Sequence, residues 1–136
     1  MKYLLDTNIC IALIRNKSTS LLQKLISQEA GEIGISSITL AELMHGVEKS
    51  QFPDQNRTAI QQFLLPLELV DFGERSAVQY GKIRSSLEKE GNLIGSMDML
   101  IAAHALGMNA ILVTNNTRDF KRIKGLVIED WLHGAS

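Results

Sequence analysis

The sequence predicts an α/β fold: one three-layer domain with a mainly parallel central sheet flanked by helices. Three observations predict it. Short apolar runs alternate along the chain with longer segments of helical periodicity, the alternation that produces parallel sheets. The best runs, Tyr3–Leu5 and Ala110–Val113, are apolar at every position, as strands covered on both faces are. The chain has 136 residues, 45% of them hydrophobic, enough for one well-buried core and too few for two ordinary domains.

The first stretch, MKYLLDTN, reads as a strand that stops on Asp6, with Asp6, Thr7 and Asn8 as turn and cap residues. Ile9–Arg15 continues as an apolar helix. Ser18 caps a second helix reaching about Gln28, with Leu21, Leu22, Leu25 and Ile26 on its buried face and Gly31 ending it. Glu32–Ile35 is a short strand. Ser36 to Thr39 then hand the chain to a helix running to about Ser50, with an apolar stripe of Leu40, Leu43, Met44 and Val47 and with Glu42 on another side. Pro53 starts the next helix, in which Ile60, Phe63 and Leu64 are apolar, and Pro66 stops it. Leu67–Val70 reads as a strand. A long amphipathic helix follows from about Glu74 to Glu90, with Ala77, Tyr80, Ile83 and Leu87 inward and Gly91 at its end. Ser96 caps a helix from Met97 to about Leu106 that is apolar nearly all round and therefore central. Gly107 and Asn109 break it. Ala110–Val113 is a strand, a short helix contains Asp119, and Leu126–Ile128 is a last short strand.

Composition narrows the function classes. The lone Cys10 excludes an internal disulfide framework and a Cys-rich zinc site, and reads as a small buried hydrophobe. No basic start with a long apolar core and a small-residue cleavage site opens the chain, and no apolar run approaches the ~18 residues of a membrane span. A cytoplasmic location with no membrane contact is the expectation. The formal net charge of −1 gives no bulk signal for nucleic acid.

Four acids fall at structural transitions: Asp6 after the first strand, Glu42 in the first turns of the third helix, Asp98 at the start of the central helix, and Asp119 after Ala110–Val113. Each has an ordinary explanation. Thr39 to Glu42 fits a capping box, Asp98 suits a helix N-terminus, and Asp6 and Asp119 can begin helices. Their combination says more, because a parallel sheet directs its strand carboxyl ends to one edge and acids after different strands then converge. Carboxylates brought together repel unless a cation holds them, and oxygen donors select hard divalent ions such as Mg²⁺ or Mn²⁺. Such ions support phosphodiester cleavage. With these four acids set aside for a metal, the 14 basic residues exceed the remaining acids by three, and Arg118, Lys121, Arg122 and Lys124 form a local basic group suited to phosphates. The same group is also an ordinary solvated helix face.

The motifs Leu5-Asp6-Thr7-Asn8, Ser36-Ser37-Ile38-Thr39-Leu40-Ala41-Glu42-Leu43, Ile94 to Ala105 and Val113 to Phe120 resemble, in order and spacing, the PIN-domain family, specifically the VapC toxins of bacterial type II toxin–antitoxin pairs. The resemblance spans nearly the whole chain. It implies an Mg²⁺- or Mn²⁺-dependent endoribonuclease with Asp6, Glu42, Asp98 and Asp119 as its acidic metal-binding cluster. Thr7 and Thr114 are implied as hydroxyls that orient the carboxylates or a water, and Asn116 as a supporting partner. Some family members place an acid close after the Thr of the last block, where this chain has the neutral pair Asn115-Asn116. The resemblance further implies a VapB-like antitoxin seated in a groove between the early helices and blocking the cleft. It also implies a homodimer, and operator DNA bound only through the antitoxin complex. The branch most similar to this chain, including the ending Glu129-Asp130-Trp131, cuts initiator tRNA in the anticodon stem-loop, which makes tRNA the expected substrate.

Two other readings stand beside this one. A haloacid-dehalogenase-like phosphatase with Asp6 as nucleophile wants a second acid two residues on, where this chain has Asn8. A regulatory or RNA-binding module would use the acids only as helix caps, and metal-dependent stabilisation discriminates it from an enzyme. His104 reads as a satisfied core or cleft-rim histidine, His45 and His133 lack ligand-like partners, and Trp131 reads as packing of the C-terminal tail or as a stacking residue.

Overall fold

The computed structural model describes residues 1–133. In chain order it contains β1 (Tyr3–Leu5), α1 (Thr7–Ile14), α2 (Thr19–Ile26), β2 (Ile33–Ser36), α3 (Ser37–Glu48), α4 (Pro53–Leu64), β3 (Glu68–Val70), α5 (Glu74–Lys89), α6 (Ser96–Gly107), β4 (Ile111–Val113), α7 (Thr117–Phe120) and β5 (Ile128–Glu129). All strand pairs are parallel and the order across the sheet is β3-β2-β1-β4-β5. β1 is therefore central, with Leu5 in register with Ile35 on one side and Val113 on the other.

Strand period two explains why β1 is apolar throughout. Leu4 packs on one face with Ile83, Leu87, Met99, Ile101 and Phe120, whereas Tyr3 and Leu5 pack on the other with Ile9, Leu21, Ile35, Leu43 and Ile60. Helices α1 to α4 thus cover one face and α5 to α7 the other, which gives the three layers expected. Each fully buried leucine contributes about 1.5–3 kcal/mol. Edge strand β3 is exposed at Glu68 and Leu69, which accounts for its weak apolar signal. Among the described residues no helix is long and apolar enough to cross a membrane.

Local chemistry sets the helix starts. Asp6, Ser18 and Ser36 cap α1, α2 and α3 by accepting from the backbone N–H groups of Ile9, Leu21 and Ile38, and Pro53 occupies the first turn of α4. Three expectations are corrected. Ser36 starts α3, so the capping box from Thr39 to Glu42 does not form and Glu42 lies in the second turn. Ser96 is already helical, Gly95 takes the cap position and no side-chain cap bond is made. Helix α2 ends at Ile26 with Ser27 as its C-cap, and Gly31, at φ +86°, instead turns the chain into β2. Gly91, at φ +63°, does close α5, its N–H donating to the Glu88 carbonyl while that of Asn92 donates to Leu87.

Two buried faces also differ from expectation. In α2, Leu21 is buried and Leu25 packs against the same cluster, but Leu22 and Ile26 are exposed, because the inward face is the narrow i, i+4 row of Leu21 and Leu25. In α5, Ala77 is exposed and Ser76 is buried. The cause is the crossing of α5 over α6 at Gly107, where a Cβ would lie 2.8 Å from Ser76 Cα. That backbone approach places Ser76 at the contact and turns the buried row to Ser76, Tyr80, Ile83 and Leu87.

Candidate metal-binding active site

The strand order reverses between β1 and β4, since the chain leaves β1 outward through β2 and β3 and returns on the other side as β4 and then β5. In parallel sheets the crevice beyond the strand ends at such a reversal is where ligands bind. Asp6 and Thr114 are the residues immediately beyond those two ends. The Asp6 backbone N–H donates to the Val113 carbonyl at 3.0 Å, fixing the two exits side by side. The Asp6 carboxylate accepts from the Ile9 N–H at 2.9 Å through Oδ1 and from the Thr114 hydroxyl at 2.5 Å through Oδ2. Asp6 is only 4% exposed. Burial pushes its pKa up to about 6 from 3.8. The two donors hold it down, and the charges of Asp98 and Glu42 raise it further.

Glu42 and Asp98 approach the same crevice from opposite layers. Glu42 Oε1 accepts from the Thr7 hydroxyl at 2.6 Å, and the Thr39 hydroxyl lies 3.3 Å from that of Thr7. Asp98, in the first turn of α6, is half-buried. Its pKa is raised by burial first, then by Glu42 and Asp119. The helices that carry these two acids are tied together by the buried His104 of α6, whose Nδ1 lies 2.7 Å from the Oγ of Ser36 at the start of α3. Asp6, Thr7, Glu42 and Asp98 line one open cleft of about 660 Å³ together with Arg15, His45 and Lys49.

Asp119 is placed differently. It lies in α7, accepts from the Asn116 side-chain amide at 3.2 Å and pairs with Arg122 at 3.7 Å. It does not line the cleft, although its charge is felt at Asp98. Asn116 links this element to the crevice, because its backbone N–H donates to the Thr114 hydroxyl at 2.9 Å.

Among the described residues, no three His, Cys, Asp or Glu side chains are close enough to enclose an ion directly. Three carboxylates, Asp6, Glu42 and Asp98, face the open cleft and repel one another. Such a set fits a hard divalent ion that keeps part of its water shell. Arg15, His45 and Lys49 line the cleft although the sequence reading does not single them out as site residues. The signal was present in α3, where Glu42, His45 and Lys49 stand at i, i+3 and i+7 and so share a face.

The remaining candidates are structural in their contacts. Cys10 is fully buried, which raises its thiol pKa. Trp131 is buried, donates to Glu129 Oε1 at 2.8 Å and stands edge-on to Tyr3. His133 pairs with Asp130. His104 is fully buried, edge-on to Phe72, and burial lowers its pKa.

Comparison with known proteins matches residues 3–126 to the PIN domain. The chain is 43% identical over 131 residues to the tRNA(fMet)-specific endonuclease VapC of Shigella flexneri, covering 96% of this chain and 98% of that protein. It is 46% identical over 132 residues to the ribonuclease VapC2 of Rickettsia felis, with 96% and 98% covered. Its fold is similar to the toxin in the DNA-bound VapBC structure from Salmonella typhimurium, with a TM-score of 0.91, 40% identity, and 96% and 98% of the two chains covered. With a domain match over nearly its full length and relatives of this similarity, the chain belongs to the PIN-domain family, among its VapC ribonucleases.

Proposed function

We propose that this chain is the toxin of a type II toxin–antitoxin pair, a divalent-metal-dependent endoribonuclease held inactive in the cytoplasm by a VapB-like antitoxin. One observation carries the reading: three carboxylates, one just beyond the end of β1 and the others on α3 and α6, line one cleft at the reversal point of a parallel sheet. Asp6, Glu42 and Asp98 would hold Mg²⁺ or Mn²⁺, with Asp119 acting from the rim. The bound ion supplies positive charge against a phosphodiester and acidifies a water.

The chain's own residues prepare that chemistry. The Ile9 N–H and the Thr114 hydroxyl fix both oxygens of Asp6 in one orientation, and Thr7 fixes Glu42. No cation of the protein is paired with Asp6, Glu42 or Asp98 among the described residues, so burial, and after it the repulsion between them, raises the Asp6 and Asp98 pKa values, and an external cation would relieve the repulsion. Asp6 gives up its proton at about pH 6, which couples metal binding to proton release at and below that pH.

The tRNA(fMet)-specific activity named for the Shigella flexneri relative supports initiator tRNA, cut in its anticodon stem-loop, as the substrate. An apolar groove of about 230 Å³ between α1, α3 and α4, lined by Ile14, Leu43, Val47 and Ile60, adjoins the acid cleft and shares Arg15 and Glu42 with it. An apolar antitoxin segment seated there would close the cleft. Binding of operator DNA through such a complex has a counterpart in the DNA-bound Salmonella typhimurium structure, and a homodimeric toxin is part of the same reading.

The test incubates the antitoxin-free protein and its Asp98→Asn variant with total RNA in Mn²⁺ or EDTA and maps new ends. Discrete, metal-dependent cuts in one tRNA, absent from the variant, are expected. Intact RNA in every lane would sink the nuclease reading.

A further inference from the structure

The acid cleft has a basic end. Arg15 and Lys49 line it together with Asp6, Glu42 and Asp98, yet neither forms an ion pair among the described residues. Their places in the helices explain this. Arg15 is the C-cap of α1, the helix that begins at Asp6, and Lys49 is the C-cap of α3, the helix that carries Glu42. At 1.5 Å per residue, Arg15 stands roughly 13 Å along its helix from Asp6, and Lys49 roughly 10 Å from Glu42. Neither cation comes within salt-bridge distance of a carboxylate among the described residues, so both remain available to an external anion. Both side chains are exposed, and each belongs to a different helix that meets the same cleft.

From this arrangement we infer that Arg15 and Lys49 hold RNA phosphates flanking the scissile one, fixing how the strand lies across the acid cluster. This deepens the nuclease reading and rests on it. The ligand is a chain of regularly spaced anions, for which a bidentate guanidinium and a point-charge ammonium are both suited. An acidic protein segment fits less well, because it would crowd carboxylates against carboxylates. Cations at helix C-termini also interact favourably with the helix dipole. That role affects stability and leaves the salt dependence of RNA binding unchanged, so the two are separable.

The test measures binding of a labelled anticodon stem-loop RNA to the full chain carrying Asp98→Asn, which keeps the RNA intact, between about 50 and 200 mM salt. Adding Arg15→Gln and Lys49→Gln should reduce the slope of log affinity against log salt by roughly 0.7 for each lost phosphate contact. The charge-matched pair Lys82→Gln and Lys89→Gln on α5 should leave it unchanged. In the active chain, Arg15→Gln with Lys49→Gln should raise KM several-fold and hold kcat. An unchanged slope in protein whose parent chain cleaves RNA overturns the inference and leaves the nuclease reading intact. So does an unchanged slope with weakened binding of a VapB-like antitoxin, which would give the cations to a protein partner. A parent chain that cleaves no RNA removes both.

Discussion

Replacing Asp6 by Asn should stabilise the metal-free protein at neutral and alkaline pH while abolishing cleavage. Asp6 is almost wholly buried and its pKa rises from 3.8 to about 6 on folding. A carboxyl group whose folded pKa is raised contributes stability that is fully present below the unfolded value and is lost as pH rises through the folded value. Above about pH 7 the folded protein therefore bears the whole penalty. At about 1.4 kcal/mol per unit, the interval from 3.8 to about 6 amounts to ~3 kcal/mol. An Asn side chain carries no charge, its oxygen still accepts from the Ile9 N–H, and its amide faces the Thr114 hydroxyl. Urea unfolding in EDTA should show the variant more stable than the parent by about 1–3 kcal/mol near pH 8. The gap should shrink by ~1.4 kcal/mol near pH 5, where Asp6 is largely protonated in the parent. His104 titrates in both proteins and cancels. Mn²⁺ should raise the parent's unfolding midpoint more than the variant's. A variant less stable than the parent near pH 8, or a gap independent of pH, would refute the placement of Asp6 as a buried charge lacking a cation.

Further outcomes are expected elsewhere. Thr114→Val removes the hydroxyl that donates to Asp6 Oδ2, so it should cost about 1–3 kcal/mol and move the Asp6 titration upward, read from the pH dependence of metal-free stability. Gly107→Ala drives a Cβ into the Ser76 backbone and should cost about 1–3 kcal/mol in thermal unfolding with the site chemistry unchanged. The His104 ring should titrate below 6.5 in an NMR pH series. Its folded pKa is depressed, so its contribution to stability is present above 6.5 and lost on acidification, and a ring that titrates at or above 6.5 would contradict its burial. Asp119→Asn should lower cleavage less than Asp98→Asn in a single-turnover assay, because Asp119 already has Arg122 and Asn116 as partners.

The layers were legible because hydrophobic pattern encodes them directly: Leu4 and Leu5 face opposite clusters, and a strand apolar at both needs helices on both sides. The convergence of Asp6, Glu42 and Asp98 followed from the geometry of any parallel sheet. What pattern did not reveal was set by backbone approach and competing hydroxyls. Ser76 replaces Ala77 in the buried row because Gly107 lets two helix backbones meet, a contact 31 residues distant in sequence with no periodic signal. Ser36 outcompetes Thr39 as the cap because β2 runs directly into α3, leaving Thr39 buried and beside Thr7. Arg15 and Lys49 were hidden for a different reason: a cation at a helix end looks alike whether it serves the dipole or a ligand, and only the shared cleft separates the two.

The four acids are not equivalent, and the difference explains why the site calls for a metal. Asp119 has a cation within reach, Arg122 at 3.7 Å, although its charge still raises the pKa of Asp98. Among the described residues Asp6, Glu42 and Asp98 have only neutral donors or none, and burial first, then the neighbouring carboxylates, raises the pKa values of Asp6 and Asp98. A protein that needed these side chains only as helix caps would gain nothing from turning three of them into one cleft, since each cap works alone and repulsion between them is pure cost. Fixed hydroxyls at Thr7 and Thr114 make the arrangement costlier still to relax, because they hold the oxygens where they repel. Such a cost would be offset by a divalent cation binding the folded chain, and among the described residues no protein cation is paired with Asp6 to take that role.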